Sequence, residues 1–254
     1  MKLRNLSIIS AIHFFRLIYR SVLFFLLLAA YISYRVHAGD PLLSILETRP
    51  AIIRIIWIVF VLEMILRFFP SRFESPGCQK QFKRNYIKTG DTVIAVEDNN
   101  ATVLTAIIWI TFNGIFGALH MAGILDDGIM ILLCSAYSIC DLICILFFCP
   151  FQSWLLKNKC CVACRIYNWD YAMMFTPLFF VKSPYSWSLL ALSIALLLRW
   201  ELTFFLHPER FSEKTNAYLK CANCPEKLCS HKKQLKRLQK QIREYTARRL
   251  KKLT

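Results

Sequence analysis

The sequence CPFQSWLLKNKCCVACRIYNWD, residues 149–170, separates two apolar stretches with a polar, basic segment that holds four cysteines. A second cysteine segment, CANCPEKLC at residues 221–229, follows the last apolar stretch and holds three more of the eleven cysteines. Polar, basic segments between long apolar stretches are typical of the loops that join membrane-spanning helices. These two segments therefore predict a membrane protein with a thiol-rich face.

The composition also indicates a membrane protein. Of the 254 residues, 56% are hydrophobic and the mean hydropathy is +0.43, so the chain is more apolar than an ordinary soluble domain. The formal net charge of +16 would also suit a nucleic-acid-binding protein. The basic residues, however, lie between the apolar stretches and at the two ends, as juxtamembrane charges do. We therefore expect a lipid bilayer as partner and no nucleic acid.

The apolar stretches predict an all-α polytopic membrane protein with about six transmembrane helices, most of them near the roughly 20 residues needed to cross the hydrocarbon core. A basic amphipathic segment, residues 1–20, precedes them, and a signal peptide cleaved near Ala38 is the alternative interpretation. A basic tail, residues 207–254, follows them and ends in a predicted helix over residues 232–253. The predicted spans are residues 21–36, 51–69, 102–123, 129–149, 167–182 and 187–206.

The distribution of lysine and arginine predicts the orientation. The N-terminal segment, the 70–101 loop, the 150–170 loop and the tail are all basic, whereas the other connections hold only Arg49 and Lys182, with Arg35 at the end of a span. Basic loops remain on the cytoplasmic side of a membrane. Both termini and a cysteine-rich face are therefore predicted to be cytoplasmic, in a bacterial inner membrane.

Eight cysteines are predicted at this cytoplasmic face. Two of the pairs, Cys161 with Cys164 and Cys221 with Cys224, have the two-residue spacing at which successive thiolates bind one metal ion. Cytoplasmic cysteines are normally reduced, so structural disulfides are a poor explanation, and ordinary free thiols are the alternative. The candidate metal ligands are Cys78, Cys149, Cys160, Cys161, Cys164, Cys221, Cys224 and Cys229.

Thiolate ligands accept both iron–sulfur clusters and zinc. Basic neighbours such as Lys159, Arg165 and Lys220 would offset the negative charge of four thiolates in either case. We favour one or two iron–sulfur clusters as the cofactor, with zinc as the alternative. In a zinc site, His207 or His231 would replace a thiolate.

Charged residues also occur inside the predicted spans, where they are costly and usually face a bundle interior. Arg67 lies one helical turn from Glu63 and is expected either to pair with it or to extend to the interface. We interpret these residues as one layer, which is either a salt-bridge network that fixes helix packing or a proton or ion site. The layer comprises Glu63, Arg67, Asp141, Arg199 and Glu201.

These features predict an integral membrane metal-binding protein, a possible redox component that passes electrons between a soluble donor and a membrane partner such as a quinone. A soft-metal or ion transporter, or a metal-delivery protein, is one alternative. A zinc-clamped scaffold whose basic tail contacts anionic lipid is another. Motifs for nucleotide hydrolysis, dinucleotide binding and common hydrolases do not occur in the sequence.

Overall fold

The computed structural model describes residues 7–36, 50–90, 99–156 and 160–226, and within these residues the protein is helical, without a β-strand. The predicted tail helix and Cys229 lie outside the described residues. In chain order the α-helices are α1 Ile8–Val36, α2 Pro50–Leu66, α3 Pro76–Gln79, α4 Asn99–Met121, α5 Asp127–Leu146, α6 Asp170–Phe175 and α7 Pro184–Leu206.

Four of these helices are long and apolar enough to cross a membrane. They are α1 over Ile8–Ser33, α4, α5 and α7, whereas α2 has 17 residues. The predicted boundary at residue 20 is not a structural one, because α1 continues through it without a break. The prediction of an all-α chain is therefore confirmed within the described residues, and four of its helices are candidate membrane spans, whereas the predicted six spans are not confirmed.

Local sequence signals fix several helix ends. The Asp126 side chain accepts a hydrogen bond from the Ile129 N–H at 2.8 Å and caps the start of α5. Gly123 follows α4 with a positive φ of 74°, a conformation that glycine adopts without steric cost. Pro184 occupies the first turn of α7, where its missing N–H leaves no helical bond unmade.

Helix α6 is short and continues as a 3-10 helix, Thr176–Phe180. Its first residue, Asp170, pairs with Arg67 just after α2 at 2.6 Å. At the other end, Phe180 lies so close to α4 that a Cβ on Gly117 would be 2.0 Å from its ring. The predicted fifth span is thus a broken helix of six and then five residues, fewer than a continuous helix needs to cross the bilayer.

Hydrogen bonds gather separate segments at one end of the bundle. Ser10, near the start of α1, donates to the Glu226 carbonyl oxygen at 2.8 Å, and Ser75, after α2, donates to the Glu226 carboxylate at 3.0 Å. Lys80 Nζ donates to the Cys164 carbonyl oxygen at 2.9 Å. The beginning of α1, the segment after α2, the 160–169 segment and the segment after α7 therefore meet here, and we call this the loop end.

At the opposite end of the bundle, hydrogen bonds join α1 to the start of α5 and α2 to α7. Tyr31 of α1 donates to the Asp126 carboxylate before α5 at 3.0 Å, and Trp57 of α2 donates to Ser188 of α7 at 2.8 Å. Between the two ends, an apolar core packs α2, α5, α6 and α7 together, and α1 packs mainly along α5. Fully buried members of this core are Met64, Met130, Tyr171, Met174, Phe175 and Leu196.

Candidate functional site: a thiol turn and a sulfur-lined cavity

Cys161 and Cys164 lie in a single tight turn at the loop end. The Cys164 N–H donates to the Cys161 carbonyl oxygen at 3.0 Å. A turn closed in this way holds its first and last Cα atoms within about 7 Å, and disulfide-bonded cysteines usually have Cα atoms about 4.4–6.8 Å apart. Both cysteines line one cavity. The turn has the spacing of a dithiol that can close to a disulfide.

A buried lysine is inserted into this turn. Lys80 is 0% exposed, and its ammonium group donates to the carbonyl oxygens of Val162 and Cys164 at 3.1 and 2.9 Å. The same nitrogen lies 5.4 Å from the ring centre of Trp200 and 5.3 Å from that of Phe211. Carbonyl oxygens and aromatic faces both stabilise a cation. Lys80 thus places a positive charge against the backbone of the turn that holds the two cysteines.

The C-terminal part of α7 holds the thiol turn in place. Trp200 Nε1 donates to the Arg165 carbonyl oxygen at 3.0 Å. Glu201 pairs with the Arg165 guanidinium group and accepts a hydrogen bond from Trp169 Nε1 at 2.6 Å. Glu201, predicted in the charged layer, therefore anchors the segment that follows the cysteines.

The segment after α2 covers the turn from the other side. A Cβ added to Gly77 would lie 2.8 Å from three atoms of the Tyr167 ring, so the backbone approaches this ring as closely as a glycine allows. Cys78 and Cys164 belong to the same buried cluster as Tyr167 and Trp200. Packing on both sides fixes the turn, which is the requirement for a preorganised site.

Next to the turn lies a cavity of about 260 Å³ between α4, α5, α6 and residues of the 149–152 and 161–167 segments. Most of its wall is apolar or aromatic, with Trp109, Tyr137, Phe151 and Tyr167 among the lining residues. Seven lining side chains contain sulfur, five as thiols and two as thioethers. They are Cys140, Cys144, Cys149, Cys161, Cys164, Met173 and Met174.

Two of these thiols contact Gln152, which lies in a π-helical turn, Phe151–Leu155. The Cys161 thiol donates to Gln152 Oε1 at 2.9 Å and lies 4.0 Å from the Cys144 carbonyl oxygen. The Gln152 N–H donates to the Cys149 sulfur at 3.4 Å. The π-helical turn thus brings the end of α5 against the thiol turn.

Asp141 of α5 also lines the cavity, and its carboxyl group makes no hydrogen bond or ion pair to any described residue. Asp170, a second lining residue, is by contrast paired with Arg67. An unpaired carboxyl group beside thiols is a candidate proton acceptor. Asp141 is the member of the predicted charged layer that faces the cavity.

Glu63 lies at the centre of a buried network between α1 and α2. Its carboxylate pairs with Arg16 at 3.0 Å and Arg20 at 2.6 Å, and it accepts hydrogen bonds from Tyr19 at 2.8 Å and Tyr171 at 2.9 Å. Two arginines and two hydroxyl groups satisfy this carboxylate. The network is therefore suited to helix packing, because it leaves no open position on Glu63.

The other predicted charged residues have separate partners. Arg67 pairs with Asp170 at 2.6 Å, not with Glu63, and it does not extend to the interface because it is buried. Arg199 donates to the Phe68 carbonyl oxygen at 2.7 Å. The predicted layer is thus divided into a Glu63 network, an Arg67 pair, Asp141 at the cavity, an Arg199 contact at the end of α2 and the Glu201 anchor.

Two cysteines from distant segments pack in one small apolar cluster outside the cavity. Cys160 is buried, and Cys224 packs against the same small apolar cluster. Cys221 is exposed. The structure thus places one cysteine from each predicted segment in the same apolar cluster.

Cys78 lies apart from the cavity and is 1% exposed. Its thiol donates to the Ser75 carbonyl oxygen at 3.1 Å. Burial raises the pKa of Cys78 to about 12, despite the opposing effect of the Arg67 guanidinium group. At neutral pH Cys78 is therefore a protonated packing residue.

The predicted ligands do not form a ready-made metal centre. Among the residues that the structure describes, no three His, Cys, Asp or Glu side chains converge to hold an ion. Cys149, Cys161 and Cys164 line the cavity, Cys160 and Cys224 lie together, and Cys78 and Cys221 are elsewhere. An iron–sulfur or zinc site remains a prediction from the sequence.

Sequence reasoning missed the buried roles of Arg16, Arg20 and Lys80. For the arginines a signal exists, because His13, Arg16 and Arg20 recur at three- and four-residue spacing and so lie on one helix face. Lys80 has no such signal, since it is one of several basic residues in a polar loop. Only tertiary packing distinguishes it from exposed Lys83.

Comparison of the sequence with family profiles and with curated proteins, and of the fold with solved structures, finds no significant match. Any function must therefore be inferred from the residues and their geometry.

Proposed function

We propose that this integral membrane protein is a thiol–disulfide redox protein in which Cys161 and Cys164 give two electrons to a membrane partner. A soluble dithiol then reduces the resulting disulfide, which returns the pair to the thiol state. The observation that carries the proposal is the closed Cys161–Cys164 turn with the buried Lys80 ammonium group inserted into it. The proposal keeps the redox role predicted from the sequence and assigns it to the thiols themselves.

The chemistry follows from the positions of these groups. A thiolate is the reactive form of cysteine, and a nearby positive charge increases the fraction of thiolate at neutral pH. Lys80 supplies this charge, and the anchors Trp200 and Glu201 keep the turn in position. The short turn then allows the second thiol to complete the disulfide without movement of a helix.

The proposed function also includes an orientation of the chain in the membrane. We place the loop end in the cytoplasm of a bacterial cell, with six chain crossings and both chain ends on that side. The support is that the basic segments after α2 and α7 meet the beginning of α1 there, and that basic loops remain cytoplasmic. A reducing compartment would supply the soluble dithiol that the cycle requires.

A second candidate function is metal binding by thiolates, through an iron–sulfur cluster or zinc. One observation favours it, namely that Cys160 and Cys224, from distant segments, pack in one apolar cluster. In that case Cys221→Ser and Cys224→Ser would reduce the metal content of the purified protein. In the redox proposal, Cys221→Ser leaves the behaviour of Cys161 and Cys164 unchanged.

The direct test is a redox titration of the full chain in detergent. The protein is equilibrated with mixtures of reduced and oxidised dithiothreitol, and its free thiols are alkylated and mapped by mass spectrometry. We expect Cys161 and Cys164 to lose reactivity together, as one two-electron step, and to regain it on reduction. Exposed Cys221 is the internal control and should remain reactive across the same range.

Single variants separate the pair from other thiols. In Cys161→Ser the two-electron step should disappear, whereas Cys221→Ser should leave it intact. Independent oxidation of the two cysteines, or full alkylation of both at every mixture, would contradict the proposal.

A further inference from the structure

The cavity beside the thiol turn has the size and lining of a site for a flat, apolar ring. Its volume is about 260 Å³, and a cavity of about 150 Å³ already admits benzene. Aromatic and thioether side chains form much of the wall, including Trp109, Phe151 and Met174. Aromatic faces and flexible methionine side chains pack well against a planar ligand.

The lining also includes a few polar groups, as is usual for small-molecule sites. Asp141 makes no hydrogen bond or ion pair to the described residues, and Gln152 accepts the Cys161 thiol hydrogen bond at 2.9 Å. Both residues line the same space as Cys161 and Cys164. A ring in the cavity would therefore lie beside two thiols and a carboxyl group.

The position of the cavity favours a lipid-soluble ligand. Cys140 lines the cavity and is also exposed on α5, inside a segment that is able to cross the membrane. Trp109 lies in the middle of α4, between the exposed neighbours Ile108 and Ile110. An opening between two membrane helices gives access from the hydrocarbon, where a water-soluble molecule would be scarce.

We infer that the cavity binds the ring of a lipid-soluble quinone, which the Cys161–Cys164 dithiol reduces to a hydroquinone. This inference rests on the proposed function and names its membrane partner. Two S–H bonds break and one S–S bond forms, so two electrons and two protons pass to the two quinone oxygens. Asp141 accepts the proton of the attacking thiol and returns it to a quinone oxygen.

Binding is tested without chemistry in the Cys161→Ser/Cys164→Ser variant of the full chain. The variant is irradiated with a photoreactive azidoquinone, and the labelled peptides are identified by mass spectrometry. We expect labelling of residues 137–152, suppressed by an excess of decylubiquinone. Cys140→Phe, which narrows the opening, should reduce labelling at least tenfold, while Cys140→Ser at the same position should not.

Reduction is tested with the fully reduced protein under anaerobic conditions. One equivalent of decylubiquinone should be reduced for each Cys161–Cys164 disulfide that forms, as measured by the fall in quinone absorbance. Asp141→Asn should slow this step at least tenfold and leave azidoquinone labelling intact, which a merely structural role would not produce. Cys221→Ser should react at the rate of the unmodified chain.

The outcomes separate the two proposals. If Cys161 and Cys164 form a disulfide with diamide but no quinone labels the cavity or is reduced, the quinone inference is overturned and the redox function stands. If no disulfide forms with diamide or with quinone, both are overturned. Labelling confined to other surfaces also rejects the cavity as the quinone site.

Discussion

Lys80 is the residue on which the proposed reactivity of the thiol turn rests. Its buried ammonium group is held by two carbonyl oxygens of the turn. Lys80→Gln removes the charge but retains N–H donors, so the thiol pKa values should rise. A rise of one unit reduces the thiolate fraction at pH 7 about tenfold. We expect iodoacetamide to alkylate Cys161 and Cys164 about tenfold more slowly at pH 7.

Lys83→Gln is the matched control, because Lys83 is three residues away and exposed. It should leave the alkylation rates unchanged. Equal rates in the Lys80→Gln variant and the unmodified chain would show that the charge does not act on the thiols.

Glu74 gives the protein a pH dependence outside the membrane helices. Burial raises the pKa of Glu74, but the Arg67 and Arg16 guanidinium groups lower it more, so the pKa lies below its ordinary value. The Arg16 pair, at 2.7 Å, therefore stabilises the fold fully above about pH 4.3 and loses this effect as the pH falls through the lowered pKa.

Glu74→Gln is thus expected to reduce the free energy of unfolding by about 1.5–3 kcal/mol at pH 7. The difference from the unmodified chain should shrink below about pH 4, as measured by thermal unfolding in detergent. A difference that stays constant between pH 7 and pH 3 would mean that the Glu74 carboxylate does not carry the effect.

Among the elements, the broken helix Asp170–Phe180 depends on a close approach to α4. The space at Gly117 is filled by the Phe180 ring, whereas a Cβ on Gly114, one turn earlier, would meet nothing within 4 Å. Gly117→Ala should therefore lower the thermal midpoint, at a cost of about 1–3 kcal/mol. Gly114→Ala should leave it unchanged or raise it, since alanine favours a helix. Equal effects of the two changes would argue against this packing.

The segment after α7 is fastened to α1 through Glu226. This residue is 3% exposed, and its carboxylate lies 3.1 Å from His13 Nε2 and 3.0 Å from Ser75 Oγ. Glu226→Ala should release the segment and increase the alkylation rate of half-buried Cys224 severalfold. Glu213→Ala is the control, because Glu213 makes no hydrogen bond or ion pair to the described residues. An unchanged Cys224 rate in Glu226→Ala would disprove this attachment.

At the scale of elements, the sequence predicts the long apolar helices, because hydrophobicity determines where they form. The stretches that became α1, α4, α5 and α7 were recognisable from length and composition. The break at Pro177 was harder to recognise, because an apolar stretch with one proline resembles a continuous span unless its packing is known. The inward turn of Arg16 and Arg20 depends on Glu63, which is more than forty residues away.

At the scale of the whole molecule, the sequence predicts which segments share a face but not which side chains meet there. Basic loops indicate the common end, and hydrogen bonds such as Ser10 to Glu226 join segments at that end. The cavity could not be predicted, because Cys161, Asp141 and Trp109 come from three elements whose packing has no sequence signature. The spacing of the cysteines alone suggested metal ligands. The buried Lys80 ammonium group favours the other interpretation, a redox-active dithiol.

The proposed orientation, with the loop end in the cytoplasm, gives a prediction for the whole molecule. Cys221 is exposed at the loop end, so a membrane-impermeant maleimide should not label it in intact cells but should label it in inside-out vesicles. Ile124→Cys in a Cys221→Ser background is the opposite control, because Ile124 is exposed beside the other end of α4. It should react from outside. Labelling of Cys221 in intact cells would place the loop end outside the cytoplasm.

In the proposed function the thiols, and not a metal held by them, form the redox centre. The most direct measurement of this is metal analysis combined with a thiol count on one anaerobically purified sample, before and after mild oxidation. We expect iron and zinc far below one per chain, and the loss of two thiols mapped to Cys161 and Cys164. Four irons with acid-labile sulfide, or one zinc per chain that is lost in Cys161→Ser, would show that a metal site occupies these cysteines and would overturn the proposed function.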